Sequence, residues 1–145
     1  MADTPPAPTL IRTLPSWLLG RAAARGRELV AAELAREGVR MWHHVVLAAV
    51  ADHEPVAQAE LARSIVLDPK DVVGILNDLQ ADGHVRREPD PRDRRKNAVR
   101  LTPSGRRLLD RCSAAAREAN EALLEGLSAR ERTAFLGVLE RVARV

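Results

Sequence analysis

The residues best placed to do chemistry lie together between Asp90 and Gly105. Five consecutive positions, Arg92-Asp93-Arg94-Arg95-Lys96, hold four cations and one carboxylate. Pro89-Asp90-Pro91 precedes them as a turn. Ala98-Val99-Arg100-Leu101 follows with strand-like alternation, and Thr102-Pro103 signals the start of a helix. The order reads as a charged hairpin tip, a returning strand and a helix. A projecting basic tip suits a polyanion better than a small substrate, so the pattern points to nucleic acid.

The charge is local. The whole chain of 145 residues carries a formal +3. From His84 to Arg107 there are nine cations against Glu88, Asp90 and Asp93. From Glu54 to Gly83 the balance reverses, with Arg63 and Lys70 against six carboxylates. Arginines scattered along helices are ordinarily a solvated face, whereas a cluster on a hairpin tip is more often an interaction surface. Aromatic residues make up only 2%, with no Tyr, which argues against a single-strand or RNA binder built on stacking platforms.

Catalysis finds no foothold. No glycine-rich phosphate loop, metal-ligand spacing or Ser-His-Asp context is present. His43 and His44 are adjacent on one helix, so they point about 100° apart and cannot grip one ion together. No metal site and no cofactor are expected. Cys112 falls on an apolar helical stripe, which favours a buried thiol over a sensor. The apolar runs are too short to span a membrane, and the N-terminus lacks the marks of a signal peptide, so a cytoplasmic protein with no membrane partner is expected.

At this length one domain is expected. Residues 1–13, with three prolines, read as a disordered tail. A first helix spans Pro15 to about Glu37, closed by Gly38, and a second spans about Arg40 to Asp52, broken by Glu54-Pro55. Ala57 to Ser64 reads as a short helix and Ile65-Val66-Leu67 as a tight turn. Asp68 then caps a helix whose Val72, Ile75, Leu76 and Leu79 form one stripe, ending at Gly83. A short helix, a tight turn and an amphipathic helix make a helix-turn-helix. Residues 84–102 form a two-stranded wing. A long helix from Thr102-Pro103 turns Leu108, Cys112, Ala115, Ala119 and Leu123 inward, and a Ser128/Glu131 capping box opens a last helix bearing Phe135, Leu139 and Val142. The long terminal helices carry apolar stripes that a lone winged lobe could not cover, so a two-fold homodimer is expected.

The stretch Asp90-Pro91-Arg92-Asp93-Arg94-Arg95 through Val99-Arg100-Leu101-Thr102 and Gly105 resembles the wing signature of the multiple antibiotic resistance regulator (MarR) family. Leu61-Ala62, Leu76, Leu79, Gly83 and Val85-Arg86-Arg87 agree with its winged helix-turn-helix. The match is specific from about Ala57 to Gly105. The resemblance implies a mainly α fold: an α+β winged helix-turn-helix of about six helices with a two-stranded wing, dimeric through its N- and C-terminal helices. It implies residues 14–52 as N-terminal helices for dimerisation and a ligand cleft, 53–102 as the DNA-binding lobe and 103–145 as C-terminal dimerisation helices.

The implied function is a transcriptional regulator, usually a repressor, that binds a palindromic operator in double-stranded DNA. A small aromatic or anionic ligand would release it. By the resemblance Arg95 is the wing arginine that enters the minor groove and Asp93 the acid that orients it, while Arg92, Arg94 and Lys96 contact phosphate or remain solvated. The implied recognition helix presents Lys70, Asp71, Val73, Gly74, Asn77 and Asp78. It departs from the family pattern at Val73 and Gly74, where many members carry Ser or Thr and then Arg, so a bidentate arginine to guanine is missing. Asn77 could read adenine, Lys70 guanine or phosphate, and Val73 a thymine methyl. The implied ligand cleft draws on Trp17, Met41, Trp42, His43 and Val46. The competing reading is a less specific architectural DNA-binding protein.

Overall fold

The computed structural model describes residues 6–145. Six helices and three short strands follow in the order α1 (Pro15–Arg36), α2 (Met41–His53), β1 (Val56–Ala57), α3 (Gln58–Ser64), α4 (Pro69–Ala81), β2 (Val85–Pro89), β3 (Asn97–Leu101), α5 (Pro103–Leu123) and α6 (Ala129–Ala143). Of the tail expected over residues 1–13, residues 1–5 lie outside the described residues. From Pro8 onward the backbone is turned: the N–H groups of Ile11 and Arg12 donate to the Pro8 carbonyl and Leu14 donates to Ile11.

The helix boundaries have local causes. Asp68 accepts a hydrogen bond from the Lys70 N–H at 2.8 Å, which fixes the start of α4. At α5, Thr102 Oγ1 accepts from the Gly105 N–H at 3.0 Å and donates to the Gly83 carbonyl at 2.6 Å. The Ser128/Glu131 capping box is complete in both directions. Gly83 ends α4 with φ +78°, a left-handed conformation that costs glycine little.

The core sits where α2, α3, α4 and α5 meet the sheet. Leu47, Val50, Leu61, Leu76, Val99 and Cys112 are among its buried members, joined by Leu34 of α1. Val72, Leu76 and Leu79 form the buried stripe of α4, with Ile75 partly covered. Truncating one such leucine, Leu76→Ala, costs about 2–5 kcal/mol. That core holds α4 rigid, and a rigid helix is what a binding face requires.

A third strand extends the expected two-stranded wing. The sheet order is β1-β3-β2, antiparallel throughout, with Val56 opposite Val99 and Arg87 also opposite Val99. A two-residue strand is too short for alternation to reveal.

The terminal helices divide. α1 packs along α5 of the same chain, and a β-carbon at Gly26 would meet Leu123 Cδ2 at 3.3 Å. The expectation that both stripes lack a partner within one chain is therefore corrected for α1 and α5, which partner each other. α6 buries no residue, and Phe135, Leu136, Val138 and Val142 stay exposed.

Candidate nucleic-acid interface

The wing tip is a closed, hydrogen-bonded loop. The Asp90 N–H donates to the Lys96 carbonyl at 2.8 Å, and the Lys96 N–H donates to the Asp93 carbonyl at 2.9 Å. At its apex Asp93 and Arg95 form a fork-to-fork pair: Arg95 Nε donates to Asp93 Oδ1 at 3.0 Å and its terminal nitrogen to Oδ2 at 3.1 Å. The Arg95 backbone N–H also donates to Oδ1 at 3.1 Å. These bonds hold the Asp93 carboxyl below its usual range and push the Arg95 guanidinium further up. The Arg95 side chain remains 89% exposed. It is a cation held in one direction by a short-range partner, with its outer edge open.

Arg92 has a different setting. Its guanidinium bridges Asp90 Oδ1 at 3.4 Å and Glu60 Oε2 of α3 at 3.0 Å, and its backbone N–H donates to Asp90 at 2.8 Å. Asp90 is only 3% exposed. The Arg92 backbone N–H, then its side chain, lower the Asp90 carboxyl, and Arg92 likewise lowers Glu60. Arg92 thus braces the wing against α3. Among the described residues Arg94 and Lys96 make no ion pair, and both are exposed.

The outward residues of α4 part into two directions. Lys70, Asp71, Gly74 and Asp78 line a cavity of about 600 Å³ shared with Arg40, Met41, Trp42 and His43 at the start of α2. Asp78 accepts from Arg40 at 3.3 Å and stands 3.0 Å from His43 Nε2. Its negative charge is thereby turned toward α2. Val73 and Asn77 are exposed outside this cavity, and Asn77 Oδ1 accepts from a terminal nitrogen of Arg87 on the wing at 2.5 Å. Arg87 also donates to Gln80 Oε1 at 2.8 Å and Gln58 Oε1 at 3.2 Å. The adenine contact considered for Asn77 would share its Oδ1 with this arginine, since the oxygen has a second lone pair.

Of the cleft residues expected from sequence, Met41, Trp42 and His43 line the cavity. Val46 is instead fully buried in the core, and Trp17, on α1, is not among the cavity's walls. His43 Nδ1 is buried without a hydrogen-bond partner. Cys112 is fully buried, and burial pushes its thiol pKa up. No cluster of metal-ligating side chains occurs among the described residues, and no helix among them is long and apolar enough to cross a membrane. Sequence reasoning missed Arg40 and Arg87. Their partners lie 38 and 7 to 29 residues away, beyond any local spacing rule.

The comparisons with known proteins agree on one family. A model described as MarR family matches residues 37–96. The HTH-type transcriptional repressor NicR of Pseudomonas putida is 42% identical over 98 residues, covering 68% of this chain but only 62% of its own length. The chain therefore spans less than two thirds of that relative. Mycobacterium tuberculosis Rv2887, an HTH-type transcriptional repressor, is 30% identical over 126 residues, 87% of this chain and 91% of that protein. A crystal structure of Rv2887, a MarR family protein in complex with DNA, superposes with a TM-score of 0.78 at 28% identity, covering 94% of this chain and 98% of that one. Bordetella bronchiseptica BpsR, whose DNA binding is regulated by 6-hydroxynicotinic acid, gives 0.81 at 26% identity, covering 96% and 99%. With the winged helix-turn-helix and a repressor 30% identical and matched along 91% of its length, this chain belongs to the MarR family of transcriptional regulators.

Proposed function

We propose that this protein is a homodimeric repressor that binds a two-fold operator in double-stranded DNA and releases it when a small aromatic anion occupies the α2/α4 cavity. The Asp93–Arg95 fork carries the reading. A narrow minor groove concentrates negative potential, and a planar cation aimed by a carboxylate is suited to enter it. Helix α4, with Lys70, Asp71, Val73, Gly74 and Asn77 outward, lies against the major groove, and Arg94 and Lys96 meet phosphate. Residues 53–102 form the DNA-binding lobe. Residues 14–52 supply helices for the dimer and one wall of the cleft, and residues 103–145 supply further dimer helices, with the apolar face of α6 seeking a mate.

The ligand assignment rests on the cavity walls. Arg40, His43 and Lys70 offer positive charge or N–H donors, and Met41 and Trp42 offer a flat apolar side. An anion there meets α4 directly and competes with Asp78 for Arg40 and His43. NicR and Rv2887 are named repressors and BpsR responds to 6-hydroxynicotinic acid, which supports the same reading here. The protein acts in the cytoplasm and catalyses no reaction.

Footprinting on random and on enriched duplex DNA tests the function. A regulator protects one discrete two-fold site. An architectural protein, the alternative, coats any duplex to the same extent.

A further inference from the structure

We propose that Arg87 is a DNA-phosphate contact of this protein, a fixed cation placed between the recognition helix and the wing. The inference rests on the DNA-binding reading above.

Three observations carry it. First, Arg87 is anchored from two helices at once. Nε donates to Gln80, one terminal nitrogen to Asn77 and the other to Gln58, at 2.5 to 3.2 Å. Second, all three acceptors are neutral amides. Arg36, Arg40, Arg92, Arg95, Arg100, Arg106, Arg111 and Arg132 each pair with a carboxylate, whereas Arg87 forms no ion pair among the described residues. Its orientation is fixed while its charge stays uncompensated. Third, it lies beside Asn77 on the exposed side of α4, carried by the wing strand β2.

A guanidinium has five N–H donors, so three bonds leave two for an external anion. An arginine immobilised before binding loses little side-chain entropy on contact. The anion is a backbone phosphate rather than a base. Arg87 is half-buried at the junction of α3, α4 and β2 and is held there by three side-chain amides, so it meets the rim of a groove and not its floor.

The test compares Arg87→Gln, Arg87→Lys and Asn77→Asp in the full chain. The probes are a duplex enriched by the wild-type protein from a random pool and an unenriched duplex of equal length. Gln can keep amide bonds but carries no charge, Lys keeps the charge, and Asp at position 77 neutralises Arg87 without removing it. Expected for Arg87→Gln and Asn77→Asp are an affinity loss by a similar factor on both duplexes and a salt slope smaller by about 1, while Arg87→Lys keeps the wild-type slope. Thermal melting establishes that each variant is folded, and Asn77→Asp serves if Arg87→Gln is not. Wild-type salt slopes in both Arg87→Gln and Asn77→Asp would overturn the proposal, whether affinity falls or not, because Arg87 is then a brace. A loss confined to one base pair would also overturn it, making Arg87 a base reader. Failure of the wild-type protein to bind any duplex would instead remove the DNA-binding reading itself.

Discussion

Asp78 on α4 and His43 on α2 stand 3.0 Å apart, so the helix that faces outward from the helix-turn-helix is tied by a polar contact to the wall of a cavity. Arg40 joins the same carboxylate at 3.3 Å. Both Arg40 and Asp78 are largely exposed, so this pair contributes under about 1 kcal/mol to stability. A weak tie is suited to exchange. Asp78→Asn is expected to leave the urea midpoint nearly unchanged while altering the response to an aromatic carboxylate. Trp42, 45% exposed at the cavity mouth, reports occupancy by its fluorescence. Titration with salicylate is expected to change the emission of wild type and of Trp17→Phe but not of Trp42→Phe. A change that survives in Trp42→Phe places the ligand elsewhere.

Gly105 is required by a close approach. A β-carbon there would overlap the carbonyl of His84, where the start of α5 crosses the start of the wing. His84 Nδ1 and Ser104 Oγ, 3.0 Å apart, seal the same crossing. Because the obstacle is backbone, Gly105→Ala is expected to destabilise the fold by about 1–3 kcal/mol, measured by urea denaturation. A midpoint equal to wild type contradicts this packing.

The wing carboxylates give stability a sign with pH. Asp90 and Asp93 are held below the ordinary value near 3.9 by Arg92 and Arg95. A depressed folded-state pKa contributes stability that is present above the unfolded value and is lost as pH falls through the folded one. Stability is therefore expected to decline below about pH 4, and Asp90→Asn to decline less steeply than wild type over that window. Equal acid limbs for both proteins exclude Asp90 as a source.

The exposed apolar face of α6 is expected to close a dimer. Leu136→Asp is expected to leave the chain folded and to shift sedimentation toward the monomer, with loss of two-fold DNA protection. A wild-type monomer at micromolar concentration removes the dimer from the proposal. Cys112, by contrast, is expected to resist thiol reagents in the native state and react fully in denaturant, because the thiol is buried and its pKa raised.

Much of the fold was legible because its signals are local. The stripe of α4, the Asp68 and Thr102 caps, the Ser128/Glu131 box and the turn at Gly83 each follow from neighbours within four residues. The pair at the wing tip was expected through the family resemblance, which implied that Asp93 orients Arg95, and their separation of two positions lets the side chains meet. Pairings across the fold were not. Arg92 to Glu60, Arg87 to Gln58 and Asp78 to His43 join elements that only the packed core brings together. Val46 misled as a cleft residue because an apolar residue one turn into α2 fits a cleft wall and a core equally well in sequence, and only packing decides. The mutual packing of α1 and α5 was hidden likewise, since an apolar stripe does not state which helix covers it.

The central claim is that the wing carries much of the DNA binding, in a chain whose α4 has Val73 and Gly74 where the family resemblance leads one to expect Ser or Thr and then Arg. The most direct measurement is a pair of binding curves, for Arg95→Ala and Asn77→Ala, at one fixed salt concentration on an enriched operator and on the same duplex with one half-site mutated. Arg95→Ala is expected to weaken binding more than Asn77→Ala, and to do so on every sequence with a narrow minor groove. The Asn77 change is expected to cost about 1–3 kcal/mol. Wild-type affinity in Arg95→Ala together with abolished binding in Asn77→Ala would contradict the account and place the readout in the major groove.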